Sequence, residues 1–181
     1  MDPQARLSRI TLLACDVDGV LTDGSIIYGS GSVELKAFNI RDGIAMKMAW
    51  LTRFPVVWIT GRKSDAVARR AGELNVQVYQ GMADKEVGLQ TIAENRKVAL
   101  EEIAYIGDDL NDIPAMRIAG YPIAVADSAP EMLALAAFVT KAVGGHGAIR
   151  ETIEHIFRAQ GRWDDAVQAY ISSLQGVRVT S

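Results

Sequence analysis

Apolar residues in this chain fall into short, nearly unbroken runs separated by stretches of helical period. Residues 10–17 lack the polar alternation of a half-exposed strand, so they predict a strand buried on both faces. Residues 55–60 and 103–107 have the same character, and 76–79, 121–125 and 138–140 are shorter candidates. Helical periodicity lies between them, near 42–53, 63–73, 84–95, 111–118, 130–136 and 147–159. Strands and helices in regular alternation imply βαβ units. The expected class is α/β: a Rossmann-like, mostly parallel sheet with helices on both faces.

One segment breaks this rhythm. Ser25–Tyr28 and Val33–Phe38 flank the turn 29–32, which predicts a small β-hairpin inserted directly after the first strand. Its apolar positions Ile26, Tyr28, Val33, Leu35 and Phe38 exceed what a lone surface ribbon needs. Burial between subunits is the favoured explanation, and packing on the chain's own core is the alternative. No long Pro- or Ser-rich linker, repeat or low-complexity tract divides the sequence. Residues 1–181 therefore read as a single domain with a flap at about 25–38, no cap domain, and a tail at about 162–181. The tail carries an amphipathic piece from Trp163 to Leu174, and its last few residues are expected to be mobile unless a partner subunit holds them.

Composition narrows the function classes. With 49% hydrophobic and 23% charged residues, the chain has the make-up of an ordinary globular protein. Nineteen basic against 22 acidic residues give a net charge of -3, which argues against nucleic acid bound on a broad basic face. The single cysteine, Cys15, excludes an intrachain disulfide and is expected to be a buried structural thiol. No apolar run approaches the ~18 to 20 residues of a membrane span, and no signal-peptide core is evident. The expected compartment is the cytoplasm.

The candidate chemistry sits where buried strands end. Asp16-Val17-Asp18-Gly19-Val20-Leu21-Thr22-Asp23-Gly24 follows the first strand, at the sheet edge where open parallel sheets bind ligands. Two adjacent carboxylates repel each other and call for a hard cation, for which Mg2+ with oxygen ligands is the natural choice. Gly107-Asp108-Asp109-Leu110-Asn111-Asp112 follows another strand. If the two strands are neighbours, four or five carboxylates meet, a density untenable without a metal. Helix capping is the alternative for each cluster, and Asp109 or Asn111 is expected to cap the helix that follows. Thr60-Gly61-Arg62 brings a hydroxyl and backbone N–H groups to the same rim, suited to phosphoryl oxygens. Lys85, at a helix start, is either a solvated surface residue or the cation for a nucleophile and a phosphate.

Asp16-x-Asp18 with Thr60, Lys85 and Gly107-Asp108-Asp109 resembles the four-motif signature of the haloacid dehalogenase superfamily. The stretches 16–24, 36–43, 60–62, 79–81 and 144–151 together look like the 3-deoxy-D-manno-octulosonate 8-phosphate phosphatases, a likeness running from about residue 10 to 170. The resemblance implies Mg2+-dependent hydrolysis of that sugar acid phosphate in lipopolysaccharide precursor synthesis. By it, Asp16 is the nucleophile, Asp18 the general acid and base, and Thr60 and Lys85 bind phosphoryl oxygens. Asp16, the backbone carbonyl of Asp18 and Asp108 would hold Mg2+, with Asp109 and Asp112 orienting that shell and Lys85. Sugar contacts would come from Asp18, Lys85, Asn39, Arg41, Asp42, Gly43, Lys47, Arg62 and Arg70. Arg62 favours an eight-carbon substrate over a nine-carbon keto-deoxy sugar acid phosphate, the principal alternative. The resemblance also implies a homotetramer that closes an otherwise open site. A non-catalytic binding module is disfavoured, because every motif residue is present.

Overall fold

Successive residues of the central strands go to opposite sides of one sheet. The computed structural model describes residues 3–31 and 33–175; Ser32 of the predicted turn and the tail end 176–181 lie outside them. The strands are β1 (Leu12–Cys15), β2 (Ile27–Tyr28), β3 (Glu34–Leu35), β4 (Val56–Thr60), β5 (Gln77–Gln80), β6 (Ile103–Gly107), β7 (Tyr121–Ala124) and β8 (Phe138–Val139). The helices are α1 (Pro3–Leu7), α2 (Ile40–Leu51), α3 (Asp65–Leu74), α4 (Lys85–Arg96), α5 (Ile113–Ile118), α6 (Pro130–Leu135), α7 (Ala148–Ala159) and α8 (Trp163–Gln175). Six strands form a parallel sheet in the order β5-β4-β1-β6-β7-β8. The chain builds outward from β1 through β4 to β5, then returns to lay β6 on the other side of β1. The order reverses at β1, the switch point where such sheets open a ligand crevice.

Strand alternation divides the core. Leu13, Cys15, Val56, Trp58, Ala104 and Ile106 face α2, α3, α7 and α8. Leu12, Ala14, Val57, Ile59, Ile103 and Tyr105 face α4, α5 and α6. Both faces are covered, which is why these strands read as continuous apolar runs. Cys15 is fully buried, and burial pushes its thiol well above the ordinary range, as a structural thiol requires.

Local chemistry sets the boundaries. Asn39 caps α2 by accepting from the Arg41 N–H at 2.8 Å, so this helix begins two residues before its apolar periodicity does. Asp84 caps α4 in the same way through the Val87 N–H. Helix α1, only five residues long, was too short to leave a periodic signal.

The flap is a hairpin of two short strands pairing Ile27 with Leu35 and Tyr28 with Glu34. Its alternation is inverted relative to an ordinary surface ribbon. Val33 and Leu35 point outward and are half exposed, whereas Lys36 and Phe38, on the opposite phase with Glu34, turn inward. Phe38 stacks on Trp58 with centroids 6.3 Å apart. The apolar positions of the ribbon thus fall on two faces, because Phe38 is out of phase with Val33 and Leu35.

A buried carboxylate ties α2 to α7. Asp42 accepts from the Arg150 N–H at 2.7 Å, serving as a cap from a different helix. Burial pushes its carboxyl up to about 6, with the N–H groups of Arg150, Gly147 and Ile149 pulling against that shift. A raised carboxyl favours the protonated native state, so its contribution to stability is lost as pH rises through that value. Asp42→Asn removes the ionisation. Its stability relative to wild type should rise by about 2–3 kcal/mol between roughly pH 4 and 7, measured by urea unfolding. A difference independent of pH would show that Asp42 ionises as easily folded as unfolded.

Candidate active site

Pairing of β1 with β6, with Cys15 opposite Ile106, delivers the two acidic loops to one end of the sheet. The Asp16 N–H donates to the Ile106 carbonyl at 3.0 Å, fixing where the chain leaves β1. Gly19 has φ +94°, and a Cβ there would stand 1.9 Å from Asp108 Oδ2. Only glycine combines that backbone conformation with so close an approach. Carboxylate oxygens of Asp16, Asp108 and Asp112 all lie within 4.8 Å of one another.

What keeps this cluster folded is Lys85. It is the first residue of α4, yet only 2% exposed, and its Nζ lies 2.7 Å from Asp16 Oδ1 and 2.6 Å from Asp112 Oδ1. Asp112 Oδ1 also accepts from the Tyr105 hydroxyl at 2.6 Å, and Oδ2 from the Asp108 and Asp109 N–H groups at 3.0 and 3.4 Å. Asp112 is therefore saturated with donors and acts as a brace for Lys85 and the second acidic loop. Asp16 and Asp108 remain as the carboxylates available to a cation.

Electrostatics agree with that division. Burial, then the Asp112 charge, push Asp16 up to about 7 against the pull of Lys85. Burial and the charges of Asp16 and Asp112 push Asp108 to about 8. Burial alone would lower Lys85, but Asp16 and Asp112 together outweigh it and hold the ammonium above its ordinary range. An all-oxygen set of acids held back from ionising fits a hard divalent cation, whose charge relieves that resistance.

The facing rim joins the sheet to the flap. Thr60, at the end of β4, lies with Oγ1 3.4 Å from Asp18 Oδ2 and accepts from the Arg62 N–H at 3.2 Å. Asp18 Oδ1 is held at 2.5 Å by Lys36, whose side chain is fully buried, and Glu34 Oε1 stands 3.5 Å from the same ammonium. Arg62 pairs with Glu34 at 2.6 Å, which raises the guanidinium further. Lys36, Glu34 and Tyr105 were not among the expected site residues. The signal that would have found the first two is parity: both share an inward phase with Phe38 on the ribbon.

The expected sugar contacts separate. Asn39, Asp42, Gly43 and Arg70 line one narrow recess between α2 and α3. There Arg70 covers Gly43, where a Cβ would meet its Nη2 at 2.5 Å, and pairs with Glu73. The Asp42 carboxylate is committed to capping α7. Arg41 is exposed at the start of α2, and Lys47 lies over the Trp50 ring at 4.2 Å. Trp50 borders a recess with Pro55 and Val56, where β4 begins, so Lys47 is turned away from the Thr60 end. Asp109 is exposed and accepts from the Leu110 N–H at 2.7 Å, the capping role foreseen for it or Asn111.

A parallel sheet with its order reversing at an acidic β1 end, and a buried lysine closing that end, defines the haloacid dehalogenase-like hydrolases; the model of that family matches residues 59–151. The 3-deoxy-D-manno-octulosonate 8-phosphate phosphatase of Escherichia coli (strain K12) is 42% identical over 91% of this chain and 88% of its own length. The Moraxella catarrhalis enzyme of that name, solved with magnesium, phosphate and the sugar acid KDO, superimposes with TM-score 0.89 at 38% identity, covering 93% of this chain and 97% of that one. The cobalt-bound Haemophilus influenzae phosphatase gives 0.86 at 35% identity, covering 92% and 99%. The chain belongs to the haloacid dehalogenase-like hydrolases, in the family of the 3-deoxy-D-manno-octulosonate 8-phosphate phosphatases.

Removing the central cation tests the cluster directly. Lys85→Met leaves Asp16 and Asp112 facing each other unpaired and should cost about 3–5 kcal/mol at neutral pH by urea unfolding. A loss below about 1 kcal/mol would mean that the ion pairs contribute little to this end of the sheet.

Proposed function

We propose that this protein hydrolyses 3-deoxy-D-manno-octulosonate 8-phosphate to the free sugar acid and phosphate through an aspartyl-phosphate on Asp16. The observation that carries the reading is the buried Asp16 carboxylate, held at 2.7 Å by Lys85 and facing Asp108 at the carboxyl end of β1. Kinship with enzymes of that activity supports the substrate.

In this reaction an Asp16 oxygen attacks phosphorus as the bond from phosphorus to the sugar oxygen breaks. Asp18 gives its proton to that oxygen. It then takes a proton from the water that attacks phosphorus and frees Asp16. Thr60 and Lys85 hold the phosphoryl oxygens as charge develops on them. Asp16, Asp108 and the Asp18 backbone carbonyl would hold Mg2+, whose charge, when bound, offsets the carboxylates and admits the phosphate dianion. Arg62 at the rim, and Arg70 beside Asn39 and Gly43, would meet the sugar acid. A homotetramer in the cytoplasm fits the half-exposed Ile27, Val33 and Leu35 and the largely exposed Tyr28 of the flap, which a neighbouring subunit would cover. No helix among the described residues is long and apolar enough to cross a membrane.

Phosphate release from the eight-carbon substrate should require Mg2+, cease in EDTA, and be abolished by Asp16→Asn. Activity surviving Asp16→Asn would sink the nucleophile, whereas preference for a nine-carbon analogue would sink only the substrate. The cation should also stabilise the fold in a pH-dependent way. Without it, protonated Asp16 and Asp108 favour the native state, and that advantage fades as pH rises through about 7 and 8. The rise in Tm caused by Mg2+ should therefore grow between roughly pH 6 and 8.5. An increment that shrinks over this range would argue against these two ligands.

A further inference from the structure

The flap carries a side chain whose position the reaction as described leaves unused. Lys36 lies just beyond β3, and its side chain is fully buried although the ribbon around it is exposed. Ordering a long side chain and stripping water from its ammonium is costly, so such a lysine needs a compensating partner. Its partners are Asp18 Oδ1 at 2.5 Å and, farther off, Glu34 Oε1 at 3.5 Å. The second Asp18 oxygen, Oδ2, points to the Thr60 hydroxyl at 3.4 Å, the rim proposed to hold the phosphoryl group. The two oxygens of Asp18 are therefore not equivalent.

The geometry points to Lys36 as a positioning residue for the leaving-group proton transfer: it fixes Oδ1, so that Oδ2 carries the proton toward the departing sugar oxygen. This rests on the reading of Asp18 as the general acid. The proton on Asp18 Oδ2 passes to the sugar oxygen while the phosphorus–oxygen bond breaks and the Asp16–phosphorus bond forms. Lys36 keeps all its protons throughout and does not touch the reacting atoms. Without it, the Asp18 side chain regains its rotamer freedom and Oδ2 loses its fixed aim. The same ribbon is pinned by the Arg62–Glu34 pair.

A leaving group that needs no proton separates this role from a general structural one. The sugar alkoxide is a poor leaving group and depends on protonation. Nitrophenolate leaves unprotonated, and kcat/KM reports only the steps through phosphoenzyme formation. Lys36→Met, which keeps most of the side-chain length without the charge, should lower kcat/KM on the sugar phosphate about 10²-fold, mainly through kcat. On p-nitrophenyl phosphate the same protein should lose less than about three-fold, and Lys36→Arg should restore most of the sugar phosphate rate. Asp18→Asn, assayed beside it, should lose at least as much of the sugar phosphate rate. Equal losses on both substrates in Lys36→Met, or no loss on either, would overturn the positioning role. If Asp18→Asn keeps the wild-type rate on the sugar phosphate, the reading of Asp18 as the acid falls first.

Discussion

Three carboxylates share a few ångströms at the end of β1 and β6, and the fold tolerates them because one buried ammonium stands among them. Two like charges about 4 Å apart repel by about 4 kcal/mol at the effective dielectric of a protein. Lys85 reverses the sign of that interaction for both Asp16 and Asp112. Its placement follows from several local constraints. Asp84 caps α4 so that Lys85 opens the helix. Gly88, one turn later, lets α4 settle onto the sheet, since a Cβ there would press on Met82 at 2.7 Å and Ile59 at 3.3 Å. The Met82 N–H in turn bonds to the Thr60 carbonyl, tying the helix start to the rim.

The second acidic loop depends on the same anchor. Asp112 orders the Asp108 backbone through Oδ2 while gripping Lys85 and Tyr105 through Oδ1. Gly107 must lack a side chain, because a Cβ would stand 2.5 Å from the Asp112 carboxylate. A further segment braces the first loop from outside. Gly144 approaches so closely that a Cβ would meet the Gly19 carbonyl at 1.8 Å, and the Gly145 N–H bonds to the Val20 carbonyl at 2.9 Å. The Asn39 side chain reaches the Gly145 carbonyl at 3.3 Å, joining the α2 cap to this brace. Precision at the site thus comes from backbone contacts that only small residues permit.

The sheet and its switch point were legible because strands buried on both faces leave unbroken apolar runs, and residues 10–17, 55–60 and 103–107 all became central strands. The acidic ends were legible for the same reason: a carboxylate following such a run has nowhere to go but the sheet edge. Burial of Lys85 was not legible from its own position, since a lysine opening a helix is normally solvated. The sugar contacts were the least readable. Asn39, Asp42 and Gly43 are consecutive or nearly so, yet helical geometry sends one to a cap, one to another helix and one beneath Arg70. Sequence proximity carries no information about which face of α2 each residue takes until the phase of the helix is known. The hairpin of the flap was legible, but which phase turns inward was not: its period of two was present, and the phase carrying Glu34 and Lys36 was the buried one.

That inversion has a consequence for how charge is arranged around an incoming ligand. Four cations around the site already have carboxylate partners: Lys85 with Asp16 and Asp112, Lys36 with Asp18 and Glu34, Arg62 with Glu34, Arg70 with Glu73. A phosphomonoester that also bears a carboxylate brings only negative charge, so in the free protein it meets cations whose fields are largely cancelled. A divalent ion held by Asp16 and Asp108, as proposed, would change this by satisfying the carboxylates that otherwise draw on Lys85. The ammonium could then turn part of its field on the phosphoryl group without leaving Asp16 exposed. On the proposed reading, metal and phosphate binding would be coupled by this shared lysine, as sites that draw on one charge must be. The flap extends the coupling outward, since the residue that grips Asp18 sits on the same ribbon as the one that restrains Arg62. On the same reading, a ligand that recruited Arg62 would act on the strand that holds Asp18, linking recognition of the sugar to the aim of the proton.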